Sequence, residues 1–239
     1  MRGLPSAGHD AERAAGHGAG GARRPGLMAS PASAAMVRAP IPAEDQTRAN
    51  FYALLARLYA AGPDAPLLDA IAAAEELHVE TPDSTARDLA EAWGVLKAAS
   101  AAMDAEAAAQ EHFDLFVGTG KSEVSPHAAA YLRSKTGSLL AELRGELSRL
   151  GLARTTATEV YEDHLAAVME TMRVLIAGAP DVEPHPLAAQ NAFFSAYVGS
   201  WVISCCDAII ASPIANYYRR VAEFTKYFVA IERDSFAIE

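Results

Sequence analysis

Apolar side chains recur along most of this chain at the spacing of a helix face. Phe51, Leu54, Leu55, Leu58 and Tyr59 follow the i, i+3, i+4, i+7, i+8 rule, and Gly62-Pro63 ends that run. Pro66 to Leu77 predicts a short second helix. Ser84 to Ala108 predicts a long alanine-rich helix carrying Trp93 and Leu96. Glu111 to Val117 reads as helical and stops at Gly118-Thr119-Gly120. After a loop from Lys121 to His127, a further helix is expected over Ala128 to Leu150, ending at Gly151.

The C-terminal third continues the pattern. Thr156 or Thr158 caps the next expected helix, with Glu159 and Glu162 in its first turn. Its inner face is Leu165, Val168, Met169, Met172 and Leu175, and Gly178-Ala179-Pro180 closes it. Phe194, Tyr197, Val198, Trp201, Cys205 and Ile209 form a buried stripe. Ser212-Pro213 is expected to start the last helix, whose core face is Ile214, Tyr217, Tyr218, Val221, Phe224, Phe228 and Ile231. No alternating strand pattern competes. The expected fold class is all-α, a single helical bundle domain of about seven to nine helices over residues 44–239.

Residues 1–43 break the pattern. They hold seven glycines and five prolines and almost no large apolar side chains, so burial cannot offset their ordering entropy. A disordered N-terminal tail is expected there. Arg23-Arg24 ahead of Leu27–Val37 only loosely imitates an export signal, because Pro25, Gly26 and Pro31 interrupt it. Met28 and Met36 are alternative first residues for a shorter chain.

Composition narrows the function classes. The chain has 239 residues and a formal net charge of −10. The tail carries +3, which leaves −13 on the remainder. Such a body repels nucleic acid; it is compatible with a basic peptide partner, and equally with acidity that only maintains solubility. No run reaches the ~18 continuous apolar residues of a membrane helix, so a soluble protein without stable membrane insertion is expected. Cys205 and Cys206 are adjacent, which gives no disulfide framework, and neither CxxC nor HExxH occurs.

Three segments could carry chemistry. Asp163-His164, next to Glu162, has the residue types of a general base, although neighbours on a helix diverge by about 100°. The same residues suit a helix N-terminus. Gly118-Thr119-Gly120-Lys121 matches part of a phosphate loop but lacks its full spacing. Glu111 or His112 could join Asp163 and His164 around a metal, a dispersed donor set. A small nucleotide- or metal-dependent enzyme using Asp163-His164 therefore stands as one alternative, and a structural subunit of a redox complex as another.

The order of three motifs carries a resemblance. Glu111-His112-Phe113-Asp114-Leu115-Phe116-Val117-Gly118-Thr119-Gly120 is similar to the E-x-x-x-L-F-x-G-x-G signature of the TorD/DmsD family of redox-enzyme maturation chaperones, related to NarJ. Ser125-Pro126-His127-Ala128-Ala129-Ala130-Tyr131 stands where that family has a proline-aromatic segment and then a tyrosine. Val160-Tyr161-Glu162-Asp163-His164 aligns with its E-P-x-D-H. His127 replaces the usual aromatic, and Val160-Tyr161 replace Glu-Pro.

The resemblance implies an all-helical cytoplasmic chaperone that catalyses nothing and needs no cofactor or metal of its own. Its partners would be the twin-arginine signal peptide and immature form of a molybdopterin oxidoreductase, held until cofactor insertion and assembly are complete. Formate dehydrogenase, dimethyl-sulfoxide or trimethylamine-oxide reductase and nitrate-reductase-like enzymes are compatible clients. A homodimer is compatible too, since members exchange helices between subunits. The peptide-binding residues implied are Glu111, Phe116, Pro126, Tyr131, Glu162, Asp163 and His164. In this expectation the carboxylates meet the basic part of the peptide, Phe116 and Tyr131 form apolar wall, and Asp163 accepts hydrogen bonds from an arginine that His164 orients.

Overall fold

Glu44 and Asp45 occupy the first turn of helix α1 (Ala43–Ala60), where their charge suits the helix dipole. The structure is a computed structural model that describes residues 41–79, 84–135, 137–152 and 160–238. Of the tail expected over residues 1–43, residues 1–40 lie outside the described residues, as do the caps expected at Thr156 or Thr158, and Ala43 already belongs to α1. Within them are nine α-helices, one π-helical turn, one 3-10 turn and no strand.

Several boundaries differ from the sequence reading, each for a local reason. Helix α2 (Ala65–Ala72) is shorter than expected; Asp64 caps it by accepting the Leu67 N–H at 2.9 Å. The long alanine-rich helix is two helices, α3 (Ser84–Ala102) and α4 (Ala105–His112). Asp104 restarts the chain by accepting the Ala107 N–H at 3.0 Å. A π-helical turn, Phe113–Val117, extends α4 and ends at Gly118, whose φ is 65°. The helix expected from Ala128 is instead a 3-10 turn, Ala128–Ala130, followed by α5 (Leu139–Arg149). Gly137, at φ 99°, and the cap Ser138 separate the two.

Helix α6 (Leu165–Ala177) has the expected inner face, fully buried at Leu165, Val168, Met169, Met172 and Leu175. The aromatic stripe divides into α7 (Leu187–Tyr197) and α8 (Val202–Ala211), bent by 46°. Phe194, Val198, Trp201, Cys205 and Ile209 are buried, while Tyr197 is half-buried. Helix α9 (Tyr217–Ile238) starts four residues beyond Pro213, and Ile214 is exposed rather than in the core. No single described helix is long and apolar enough to cross a membrane.

Helix α1 packs on α6, and α9 packs on α3 and α8. Phe51, Trp93, Phe224 and Phe228 form an aromatic cluster where α1, α3 and α9 meet, with ring centroids 5.1–6.4 Å apart in the contacting pairs. A buried ion pair also ties α1 to α9. Arg48 donates to both oxygens of Glu232, at 2.8 and 2.9 Å, and the Tyr52 hydroxyl donates to the same carboxylate at 3.0 Å.

Candidate functional site

The first motif builds a joint between α1, α4 and α9. The Glu111 carboxylate accepts the backbone N–H groups of Asn216, Tyr217 and Tyr218 at 2.8–3.0 Å. It therefore caps α9 from outside that helix, satisfying donors that have no partner within it. His112 Nε2 lies 3.2 Å from the Tyr59 carbonyl, and the Tyr218 hydroxyl donates to the Leu58 carbonyl at 2.7 Å, so two of the last-turn carbonyls of α1 meet partners from α4 and α9. Phe116 is buried against Tyr59, His112 and Tyr218. A Cβ on Gly118 would lie 2.9 Å from the Lys121 carbonyl, which with the positive φ explains the glycine. The Gly118–Lys121 segment thus follows a helical turn rather than a strand.

The other two motifs meet each other, although His127 and Asp163 are 36 residues apart. Ala128 N–H donates to the Asp163 carbonyl at 2.9 Å and Leu165 N–H to the Pro126 carbonyl at 2.7 Å, an antiparallel bridge that centres on His127 and His164. His127 Nδ1 lies 3.0 Å from Asp163 Oδ1, and the Ala129 N–H donates to Oδ2 at 3.3 Å. His164 caps α6 by accepting the Ala166 N–H on Nδ1 at 3.1 Å. Its ring packs edge-on against that of His127, 5.0 Å between centroids. The helix therefore starts at Leu165, later than the sequence indicates, and Glu162 precedes it.

Burial sets the charge states. Asp163 and His164 are 6% and 7% exposed. Burial alone would raise the Asp163 carboxyl, but the hydrogen bond and charge of His127 and the Ala129 N–H outweigh it, so the group sits below its ordinary value. Burial, reinforced by the charges of His127 and His112, pushes His164 down to about 4, against a weaker upward pull from Asp163. His164 is thus a neutral imidazole at physiological pH. Tyr131 stacks on Trp201 at 5.4 Å and donates its hydroxyl to the Ser125 carbonyl at 3.0 Å, fixing the far end of the loop. Burial pushes the Cys205 thiol, beside this loop, up to about 11. Among the described residues no group of three or more His, Cys, Asp or Glu is arranged to hold a metal.

Of the expected site residues, Glu162 lines a groove. A groove of about 630 Å³ runs between α1, the end of α5 and α6. Its walls are small or apolar, among them Ala53, Ala56, Leu147, Leu152, Ala167 and Val174, and its charged groups are Glu162, Glu170, Arg57 and Arg173. The space exists because α1 and α6 turn alanines toward each other. Arg144 of α5 grips Glu162 with two hydrogen bonds, at 2.9 and 3.1 Å. Arg173 grips Glu170 at 2.7–2.9 Å. The sequence reading did not identify this groove or its arginines. The Ala53, Ala56, Ala60 spacing on α1 was a usable signal, and nothing marked Arg144.

The seven expected residues thus fall into two groups. Glu111 and Phe116 lie at the α1–α4–α9 joint. Pro126, Tyr131, Glu162, Asp163 and His164 surround the α6 start, where Pro126, Asp163 and His164 are buried and Glu162 borders the groove.

A family model described as nitrate reductase delta subunit matches residues 82–207, just over half of the chain, and includes all three motifs. No curated protein sequence matches.

Proposed function

Because the chain belongs to the nitrate reductase delta subunit family, whose members are maturation chaperones of molybdoenzymes, we propose that it binds the twin-arginine signal peptide and immature form of a molybdopterin-containing oxidoreductase. In this reading it acts in the cytoplasm, supports cofactor insertion and assembly before export, and catalyses no reaction itself.

The family match carries the proposal, and the groove supports it. A twin-arginine peptide joins a basic stretch to an apolar one. The groove joins the Glu162 and Glu170 carboxylates to an alanine- and leucine-lined floor. Glu162 is the direct contact. Asp163, His164, Pro126 and Tyr131 position it by fixing the α6 start, and Glu111 and Phe116 hold the frame behind. For Asp163 to meet an arginine itself, it would have to release His127 and Ala129.

Affinity capture tests the reading. In cells expressing a molybdoenzyme precursor, the tagged chain should retain the precursor that bears its leader and release the mature enzyme. Equal retention of the mature enzyme would make the chain a permanent subunit instead. Ala167→Trp, which fills the groove, should abolish leader binding while leaving the circular dichroism spectrum unchanged. Full affinity in that variant would remove the groove from the mechanism.

A further inference from the structure

A second cavity, of about 350 Å³, lies between the start of α1, the end of α9, Leu89 of α3 and Leu187 of α7. On α1 it is lined by Glu44, Thr47, Arg48 and Phe51, whereas Ala53, Ala56, Arg57 and Ala60 line the groove. At 3.6 residues per turn these two sets point about 180° apart, so the cavity lies on the opposite side of α1 and does not extend the groove. Phe51, Phe228, Ile231 and Phe236 form its apolar wall, and Leu187 beside them is 40% exposed. Its polar floor is preformed. Arg48 is held by Glu232, by Asp45 at 2.9 Å and by Gln190 at 3.4 Å, and it lies over the Phe236 ring at 5.4 Å. That guanidinium is thus committed, while Glu44 is exposed and, among the described residues, pairs with no cation.

We propose that this cavity binds a large apolar side chain flanked by basic residues, supplied by the immature partner enzyme from outside its leader. The choice of partner rests on the peptide-binding reading above; the ligand chemistry rests on the cavity itself. Its volume falls within the range of about 300–1,000 Å³ that ligand sites occupy, and an apolar wall with a few fixed polar groups is their usual make-up. Charge selects the neighbours of the bound side chain. Glu44 and Glu232 line the cavity against Arg48 alone, and Arg48 is shared with Asp45, so the mouth is left acidic. A lysine or arginine beside the apolar side chain meets Glu44, and an acidic neighbour is repelled. A second copy of the chain is a poor occupant, because a two-fold contact sets the same acidic rim against itself. Little ordering is required on binding, since Glu232 already fixes Arg48 and Tyr52. A partner held here and by its leader grips α1 from both sides, and its second contact becomes intramolecular.

A capped hexapeptide with a leucine-phenylalanine pair between two lysines tests the chemistry. Titrated into the full chain, it should shift backbone amide NMR signals at the start of α1 and the end of α9, and not those of the groove. The same peptide with glutamates in place of the lysines should bind at least about 3-fold more weakly. Glu44→Gln, which removes only the charge, should narrow that difference. Ser235→Trp places a ring in the cavity from an exposed position. It should abolish the shifts while leaving leader-peptide affinity and the circular dichroism spectrum unchanged. Affinity capture tests the partner. A precursor with its leader deleted should be retained by the unaltered protein and by Ala167→Trp, and lost by Ser235→Trp.

Equal binding of the lysine and glutamate peptides overturns the inference, as do shifts confined to the groove or capture of the leaderless precursor that Ser235→Trp leaves intact. A dimer of the unaltered protein that Ser235→Trp dissociates, read by sedimentation, assigns the cavity to a second copy instead. Ile231→Trp fills the cavity from its apolar wall and replaces Ser235→Trp if that variant does not fold. If the leader peptide binds and the hexapeptide does not, only this inference falls. If the hexapeptide binds as described and the leader peptide does not, the leader reading falls, and capture of the leaderless precursor alone decides the partner.

Discussion

His164 caps α6 with the lone pair of Nδ1, and a proton on that atom would end the cap. Its value of about 4, against an ordinary 6.5, gives the direction of the coupling. Between those two values the unfolded chain takes up a proton that the folded chain refuses, so stability falls as the pH drops from about 6.5 toward about 4. The full shift corresponds to something on the order of 3 kcal/mol. Asp163 acts in the same sense, since its lowered carboxyl contributes stability at neutral pH that is lost in acid. His164→Asn keeps an acceptor at the cap and removes the titration. Thermal melts of that variant should therefore decline less between pH 6.5 and 4.5 than those of the unaltered protein, and parallel declines would show that acid attacks elsewhere. The sequence displayed Asp163-His164 openly, as a site candidate and as a helix start. It did not display their dependence on His127, because a bridge between two loops leaves no periodic trace. His127 stands out in the sequence as a departure from the family pattern, yet it is the partner that holds Asp163 charged.

Helix positions were more legible than helix ends. The apolar faces of α1, α6 and α9 follow from spacing alone, because burial on one side of a cylinder imposes that spacing. The breaks at Asp104 and at Gly137-Ser138 were missed for a common reason. Good helix formers stand on both sides of each break, alanines around Asp104 and leucines, glutamates and arginines after Ser138, so only the capping residue, preceded at the second break by Gly137, marks it. Two glycines test the element scale with opposite signs. A Cβ on Gly62 would lie 2.4 Å from the Ala109 Cα, so the turn after α1 must move away from α4. Gly62→Ala should cost about 1–3 kcal/mol in denaturant unfolding. A Cβ on Gly145, within α5, would have no other group within 4 Å. Gly145→Ala should stabilise by about 0.5–1 kcal/mol, chiefly by restricting the unfolded chain. A stable Gly62→Ala or a destabilised Gly145→Ala would contradict this account of the two positions.

The whole molecule depends on contacts that bridge the family-matched segment from outside it. Residues 82–207 contain neither α1 nor α9, yet α1 packs on α6 and α9 on α3 and α8. Arg48 and Glu232 tie the two outer helices together, and their side chains are 17% and 4% exposed. Arg48→Met should destabilise the protein by about 3–5 kcal/mol, because it leaves Glu232 charged and uncompensated. Adding Glu232→Leu should recover much of that loss in equilibrium unfolding; no recovery would mean that the tie itself, rather than the orphaned charge, matters. The all-helical class was plain from the sequence, since one period runs through the body of the chain. The groove was not, because it depends on which alanines face each other across helices distant in sequence.

The tie between α1 and α9 also bears on the order of events during synthesis. Arg48 leaves the ribosome early, and its partner Glu232 is 184 residues further along the chain. Until α9 emerges, the first helix can rest on α6 only with its guanidinium left to Asp45, 2.9 Å away on the same helix, and to water. Closing a loop of that length is slow relative to forming local helices. Completion of the fold therefore waits for α9, and a chain cut short before that helix would remain open however well its middle helices had formed.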